Sequence, residues 1–362
     1  MNPEEIAEAI AAQDYQKAAK LIKQISNTDR RSPQIQIYIA QVYEGVGKLE
    51  QAEQIYRQTL QSNPAPKLLS QARAGLKRLQ EQQKNQRQEA IAQAKAGGSD
   101  IGALILEQTT AADKAPLAQH LAQVMQLDAY TARLQLQNHG WRLYRTGAVG
   151  EMRFYSQQLS KGQIASFAVA AAAVNEINVF QGHYFHAIDP PTIICHNNQE
   201  NLGSLSFDWA EVSQQVTGML PWFEEVYSMD VRRQMQHKSD TLDYIQVLDL
   251  HLPARKSIIR LCDRLYQFEP GYPFHPNQAK RQSTARNDWN HMITALGQRL
   301  GGCPLWAEFT PFGNTAIEFP EFLKSIKPEL HLHRLEPTPW DAAFQLYSGS
   351  IFLQKNASAV AK

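Results

Sequence analysis

One stretch constrains the fold of this chain more than any other: residues 33–66, PQIQIYIAQVYEGVGKLEQAEQIYRQTLQSNPAP, carry the pattern of two amphipathic helices around a tight turn. Ile39, Ala40 and Tyr43 share one face of the first helix, and the small Ala40 admits the second helix closely. Gly47 supplies the turn, because glycine takes positive φ without a Cβ penalty. On the second helix Ala52 is the small contact, Tyr56 lies one turn further along the same face, and Pro64 ends the helix. The unit is 34 residues long, and subtracting that period from Ala52 lands on Ala18 within DYQKAAKL, flanked by Tyr15 and Ile22. A degenerate first copy is therefore expected, with a short first helix and Arg30 in place of the terminal proline. Downstream, Leu68, Leu69, Ala72, Leu76 and Leu79 recur at helical spacing before the sequence becomes almost wholly polar, which reads as a solvating cap helix and then a linker ending at Gly97-Gly98.

The set Ile39, Ala40, Tyr43, Gly47, Ala52, Tyr56 and Pro64 resembles the tetratricopeptide repeat. Gln36 stands where that family commonly has Trp, and Thr59 where a small Ala is usual. The resemblance implies antiparallel helix pairs and a module that binds another protein, with those seven residues as its motif. The plainer alternative is a helical spacer or dimerisation hairpin without a peptide groove. The remainder of the chain resembles uncharacterised repeat-containing proteins of cyanobacterial type, without a motif to which a function attaches.

With 362 residues, two or three compact units are expected. The texture of the sequence divides them as follows: helical repeats with their cap over 1–80, a helical or flexible linker over 81–100, a small α/β sandwich over 101–200, a β-rich α+β domain over 201–355, and a frayed tail over 356–362. The fold class is thus multidomain α+β. Within the middle segment, 103–109 reads as a buried strand, Asp113 as the cap of a helix through Leu127, and the alanine-rich 163–177 as one buried helix. NVFQGHYFHAI and TIICHN are strands separated by Asp189-Pro190-Pro191. Further on, LSFDW reads as a strand, and DYIQVLDLHLPARKSIIRLCDRLYQF as an antiparallel hairpin turning at Pro253. Asp288 is placed as the cap of a helix from Trp289 to Leu300.

On the hairpin, Ile245, Val247, Asp249 and His251 share one face by strand alternation, and Arg260, Cys262 and Arg264 share a parity on the second strand. If register joins those faces, Asp249, His251, Arg260 and Arg264 form a cluster in which a carboxylate orients an imidazole and arginines hold an anion. The competing reading is a solvated sheet face with weak cross-strand pairs. Cys262 lies in an apolar pattern and reads as structural. His183, His186 and His196, with Cys195 and Asp189, are the densest group of metal-ligand types, yet 183 and 186 fall on opposite faces of a regular strand. His331 and His333 form a second pair, two ligands where a zinc site needs three or four. No metal or cofactor is assigned from these residues, and neither GxGxxG nor GxxxxGK[ST] occurs.

Lys+Arg 36 against Asp+Glu 35 leaves a net charge of +1, so nothing draws the chain as a whole to nucleic acid, and only Lys280, Arg281 and Arg286 form a local basic loop. Three cysteines without CxxC spacing fit a reducing compartment, and neither a secretory leader pattern nor an apolar run of spanning length is present, so the expected location is the cytoplasm. The sequence therefore points to an adaptor that binds a protein partner through its N-terminal repeats. The alternative is an enzyme or small-molecule binder with an anion or substrate site in the C-terminal β-rich domain.

Overall fold

The computed structural model describes residues 3–26, 29–62, 64–110, 113–197, 199, 201–229, 235–275, 283–330 and 338–360; for 223–229, 235–242 and 356–360 only the backbone is considered. Two compact units divide the chain, Met1–Gln93 and Ala94–Lys362.

The elements of the first unit are helices: α1 Pro3–Ala11, α2 Tyr15–Lys23, α3 Pro33–Gly45, α4 Leu49–Gln61 and the long α5 Pro66–Ala96, whose last three residues fall in the second unit. Apolar residues at helical spacing give it two small cores. Ile6, Ala9, Ala18, Ile22, Ile35 and Val42 form one, and Ile37, Ala40, Ala52, Tyr56, Ala72 and Leu79 form the other, so α3 contributes to both. The expected cap and linker are one continuous 31-residue helix, α5, in which nothing beyond Leu79 is buried. The linker over 81–100 is accordingly helical as far as Ala96. Its glycines are not slack: the Gly150 N–H donates to Gly98 O at 3.0 Å, and a Cβ on Gly150 would stand 1.8 Å from the carbonyl oxygen of Ala94. Only glycine permits that approach.

The second unit holds two sheets. In the smaller, β1 Ile101–Leu106 runs antiparallel between β2 Arg142–Ala148 and β3 Ser166–Ala170, accompanied by helices α6 Ala115–Met125, α7 Ala129–Gln135 and α8 Val149–Lys161. The expected single helix over 163–177 is instead β3 followed by the five-residue α9 Ala171–Asn175. Alanine-rich apolar sequence is compatible with either state, and pairing with β1 settled it, with Phe167 and Val169 turned into the core.

The larger sheet has seven strands in the order β10-β7-β8-β9-β4-β5-β6, formed by β4 Asn178–Ile188, β5 Pro191–His196, β6 Leu202–Ser206, β7 Gln214–Met229, β8 Met235–Leu252, β9 Ser257–Cys262 and β10 Leu305–Trp306. The parallel pairing of β4 with β9, from Asn178↔Ser257 to Gln181↔Arg260, joins residues assigned by sequence to two domains. A boundary at 200 is not what the structure has, because the backbone groups of β4 find their partners on β9. The hairpin of β8 and β9 does form, with a 3-10 turn at Pro253–Arg255. β6 stops at Ser206, after which Asp208 caps a 3-10 turn at Trp209–Glu211 with a reciprocal capping box.

Where β8 and β9 run side by side, both faces of the large sheet are covered. Leu248, Leu250, Leu252, Ile259 and Leu261 pack with Trp289, Met292 and Leu296 of α10 Ala285–Arg299. That helix starts one turn earlier than expected, capped by Thr284, while Asp288 accepts from or pairs with His275 Nε2 at 2.6 Å. Ile245, Val247 and Cys262 face the opposite core, shared with the small sheet, α11 Phe309–Ala316, α12 Pro320–Leu323 and α13 Pro339–Val360. Sequence reading missed α13, and the tail it assigned as frayed continues this helix to Val360. Buried on every side from Ala342 to Phe352, α13 lacks the polar stripe by which a surface helix is recognised.

Candidate functional site

The seven repeat-motif residues hold the helices of the first unit together. Ala40, Ala52 and Tyr56 have no exposed surface, Tyr43 packs on their cluster and Ile39 on the neighbouring one. Gly47 turns the chain at φ +78°, and Pro64 lies in the connection between α4 and α5. Three polar side chains tie the helices further. Tyr56 Oη donates to Glu44 Oε2 at 3.0 Å, while Arg78 donates from Nε to Glu44 Oε1 at 2.9 Å and from Nη2 to Oε2 at 3.1 Å, so Glu44 joins α3, α4 and α5. Burial, and then the Glu44 charge, push the Tyr56 phenol above its ordinary pKa. Arg30, standing where the family has proline, donates from Nε to Ile22 O at 3.0 Å and from Nη2 to Lys23 O. It closes the end of α2, sharing the Ile22 carbonyl with the Ile25 N–H.

In the second unit, Asp249 and Arg260 are direct cross-strand partners. The guanidinium donates from Nε to Asp249 Oδ1 at 2.8 Å and from Nη2 to Oδ2 at 2.7 Å, a bidentate fork, and from Nη1 to the carbonyls of Pro328 at 2.9 Å and Glu329 at 3.2 Å. The Phe344 ring stacks 5.0 Å from it. Ser348 of α13 donates to Asp249 Oδ2 at 2.6 Å, and its oxygen lies 3.0 Å from His251 Nε2. Since the serine proton goes to the carboxylate, the imidazole is the donor in that contact and carries its proton on Nε2. Its Nδ1 is buried without a partner. Burial drives the His251 pKa down to about 4, the Asp249 charge opposing and the Arg260 charge assisting, so the ring is neutral.

Asp249, His251, Arg260 and Ser348 are all completely buried. The charged group expected on a wet sheet face is an interior tie between β8, β9, residues 328–329 and α13. Arg264 is not among them: it lies beyond β9, about half exposed, pairs with Asp243 and stands 5.8 Å over the Trp222 ring. Ser348, 97 residues from His251, left no signal in the sequence that would link it to the hairpin. With the serine between carboxylate and imidazole, the ring cannot take the hydroxyl proton, so the order is not that of a nucleophile and its base. Cys262 is likewise interior, its thiol pushed up to about 12 by burial.

His183 Nε2 lies 2.8 Å from His196 Nδ1, one ring donating to the other, and desolvation lowers the His183 pKa. His186 is exposed, and Cys195 is buried in the α10-side core with its thiol pushed up to about 11. Among the described residues no three His, Cys, Asp or Glu side chains group as a metal site. His331, His333, Lys280 and Arg281 lie outside the described residues, and Arg286 pairs with Asp263 at 3.0 Å.

No curated protein and no solved structure matches the chain, and the cyanobacterial likeness of the remainder has no counterpart in these comparisons. A family model does match residues 9–74, that of the tetratricopeptide repeat. The matched residues run from the end of α1 into α5 and include all seven motif positions. The N-terminal helices of this chain are therefore a tetratricopeptide-repeat segment.

Proposed function

We propose that this chain is a protein-binding adaptor, working in the cytoplasm, whose N-terminal repeats dock a protein partner for the second unit to carry or position. The observation that carries the reading is the tetratricopeptide match over 9–74, on helices whose motif residues serve packing and leave exposed polar surface around them. Three free cysteines suit a reducing compartment. Among the described residues no helix is long and apolar enough to cross a membrane, and the net charge of +1 gives no general attraction to nucleic acid. Affinity capture from the native cells, with the intact chain compared with residues 94–362, tests the role. Partners recovered by the intact chain are lost with the first unit removed; equal recovery by both overturns the proposal.

A further inference from the structure

Between α10 and the β7–β8–β10 edge of the large sheet lies a cleft of about 800 Å³, within the size range of small-molecule sites. Leu248 and Trp289, both buried, form part of its wall, while Met219 and Leu305 at its margin are large apolar side chains 44% and 60% exposed. Gln246 and Asn290 bring amides and Thr310 a hydroxyl to the lining. No Asp, Glu, Lys, Arg or His stands among the described residues that line it. Among the described lining residues a charged ligand finds no counter-charge, whereas a neutral one meets apolar surface and uncharged donors and acceptors.

Gly297 lines the same cleft. It lies exposed in the last turn of α10, two residues before Arg299. No positive φ requires it, and a Cβ built there meets nothing within 4 Å, so no close packing requires it either. What the missing side chain leaves is open volume in the cleft wall.

We propose that this cleft binds a neutral small molecule with an apolar ring body and an amide- or hydroxyl-bearing edge. The site is separate from the repeat segment and independent of protein docking. The test is calorimetric titration of the full chain with three probes on one ring system: 2-naphthamide, 2-naphthoate and 2-naphthylmethylammonium. Naphthamide binds, and the two charged probes bind at least tenfold more weakly. Gly297→Phe fills the cleft and weakens naphthamide at least tenfold, with the thermal unfolding midpoint kept. Absence of naphthamide binding, equal binding of the charged probes, or unchanged affinity in Gly297→Phe overturns the proposal. Should Gly297→Phe not fold, Met219→Trp at the exposed margin is the second block, and unaltered affinity there overturns it equally.

Discussion

The two units each contain an arginine held by a carboxylate in a bidentate fork, and the settings differ. In the first, Arg78 grips Glu44 from α5 while its side chain remains 50% exposed. In the second, Arg260 grips Asp249 with neither side chain exposed at all. Water solvates the first pair whether or not it is formed, so its net contribution is small. The second has no such recourse: every donor must find an acceptor inside the protein, and the carbonyls of Pro328 and Glu329 supply what the carboxylate cannot. The same side-chain chemistry is thus an adjustable surface latch in one unit and an obligatory interior joint in the other.

The largest test of that contrast is Asp249→Ala, which leaves a buried guanidinium without its counter-charge. A loss of about 3–5 kcal/mol in urea denaturation is expected. Replacing both members, Asp249→Leu with Arg260→Met, recovers a large part of it, because the cost lies in the orphaned charge. A loss below about 1 kcal/mol for the single variant would erase the distinction between joint and latch.

A smaller effect comes from His251, whose folded pKa of about 4 lies below its ordinary 6.5. Between those values the unfolded chain binds the proton that the folded chain refuses. Stability from this group is therefore complete above about pH 6.5 and declines as pH falls towards 4, with a slope of at most about 1.4 kcal/mol per pH unit. The whole window amounts to something on the order of 3 kcal/mol. Subtracting the pH profile of His251→Phe from that of the parent chain isolates it; identical profiles would mean that the ring is protonated in place.

Smallest is Arg78→Ala, expected to cost less than about 1 kcal/mol in thermal unfolding, and less again at high salt. A salt-insensitive loss of several kcal/mol would show the latch to be as obligatory as the joint.

How far the sequence could be read followed the range of the interactions involved. The repeat was legible because its contacts recur within 34 residues: Ala40, Ala52 and Tyr56 are small or aromatic where adjacent helices meet, and each lies where the spacing put it. The hairpin of β8 and β9 was legible for the same reason, and strand parity alone put Asp249 and His251 on one face. Parity says nothing of what covers that face. Among residues expected to be wet, the three that converge are wholly interior because α13, nearly a hundred residues away, lies across them. Arg264 shares their parity but falls past the last paired residue of β9, where alternation no longer applies.

By itself, then, the sequence determined the helical repeat, its period and motif positions, the hairpin with its turn at Pro253, and the near-neutral charge, all of them properties of neighbouring residues or simple sums. Tertiary structure alone decided that strands from both expected C-terminal domains share one sheet, that 166–170 is strand and not helix, and that the Asp249–Arg260 pair is dry. It also opened the cleft beside Gly297. Those outcomes depend on which distant segments bury which faces, and a pattern of apolar and polar residues specifies that a face is to be buried without naming its partner.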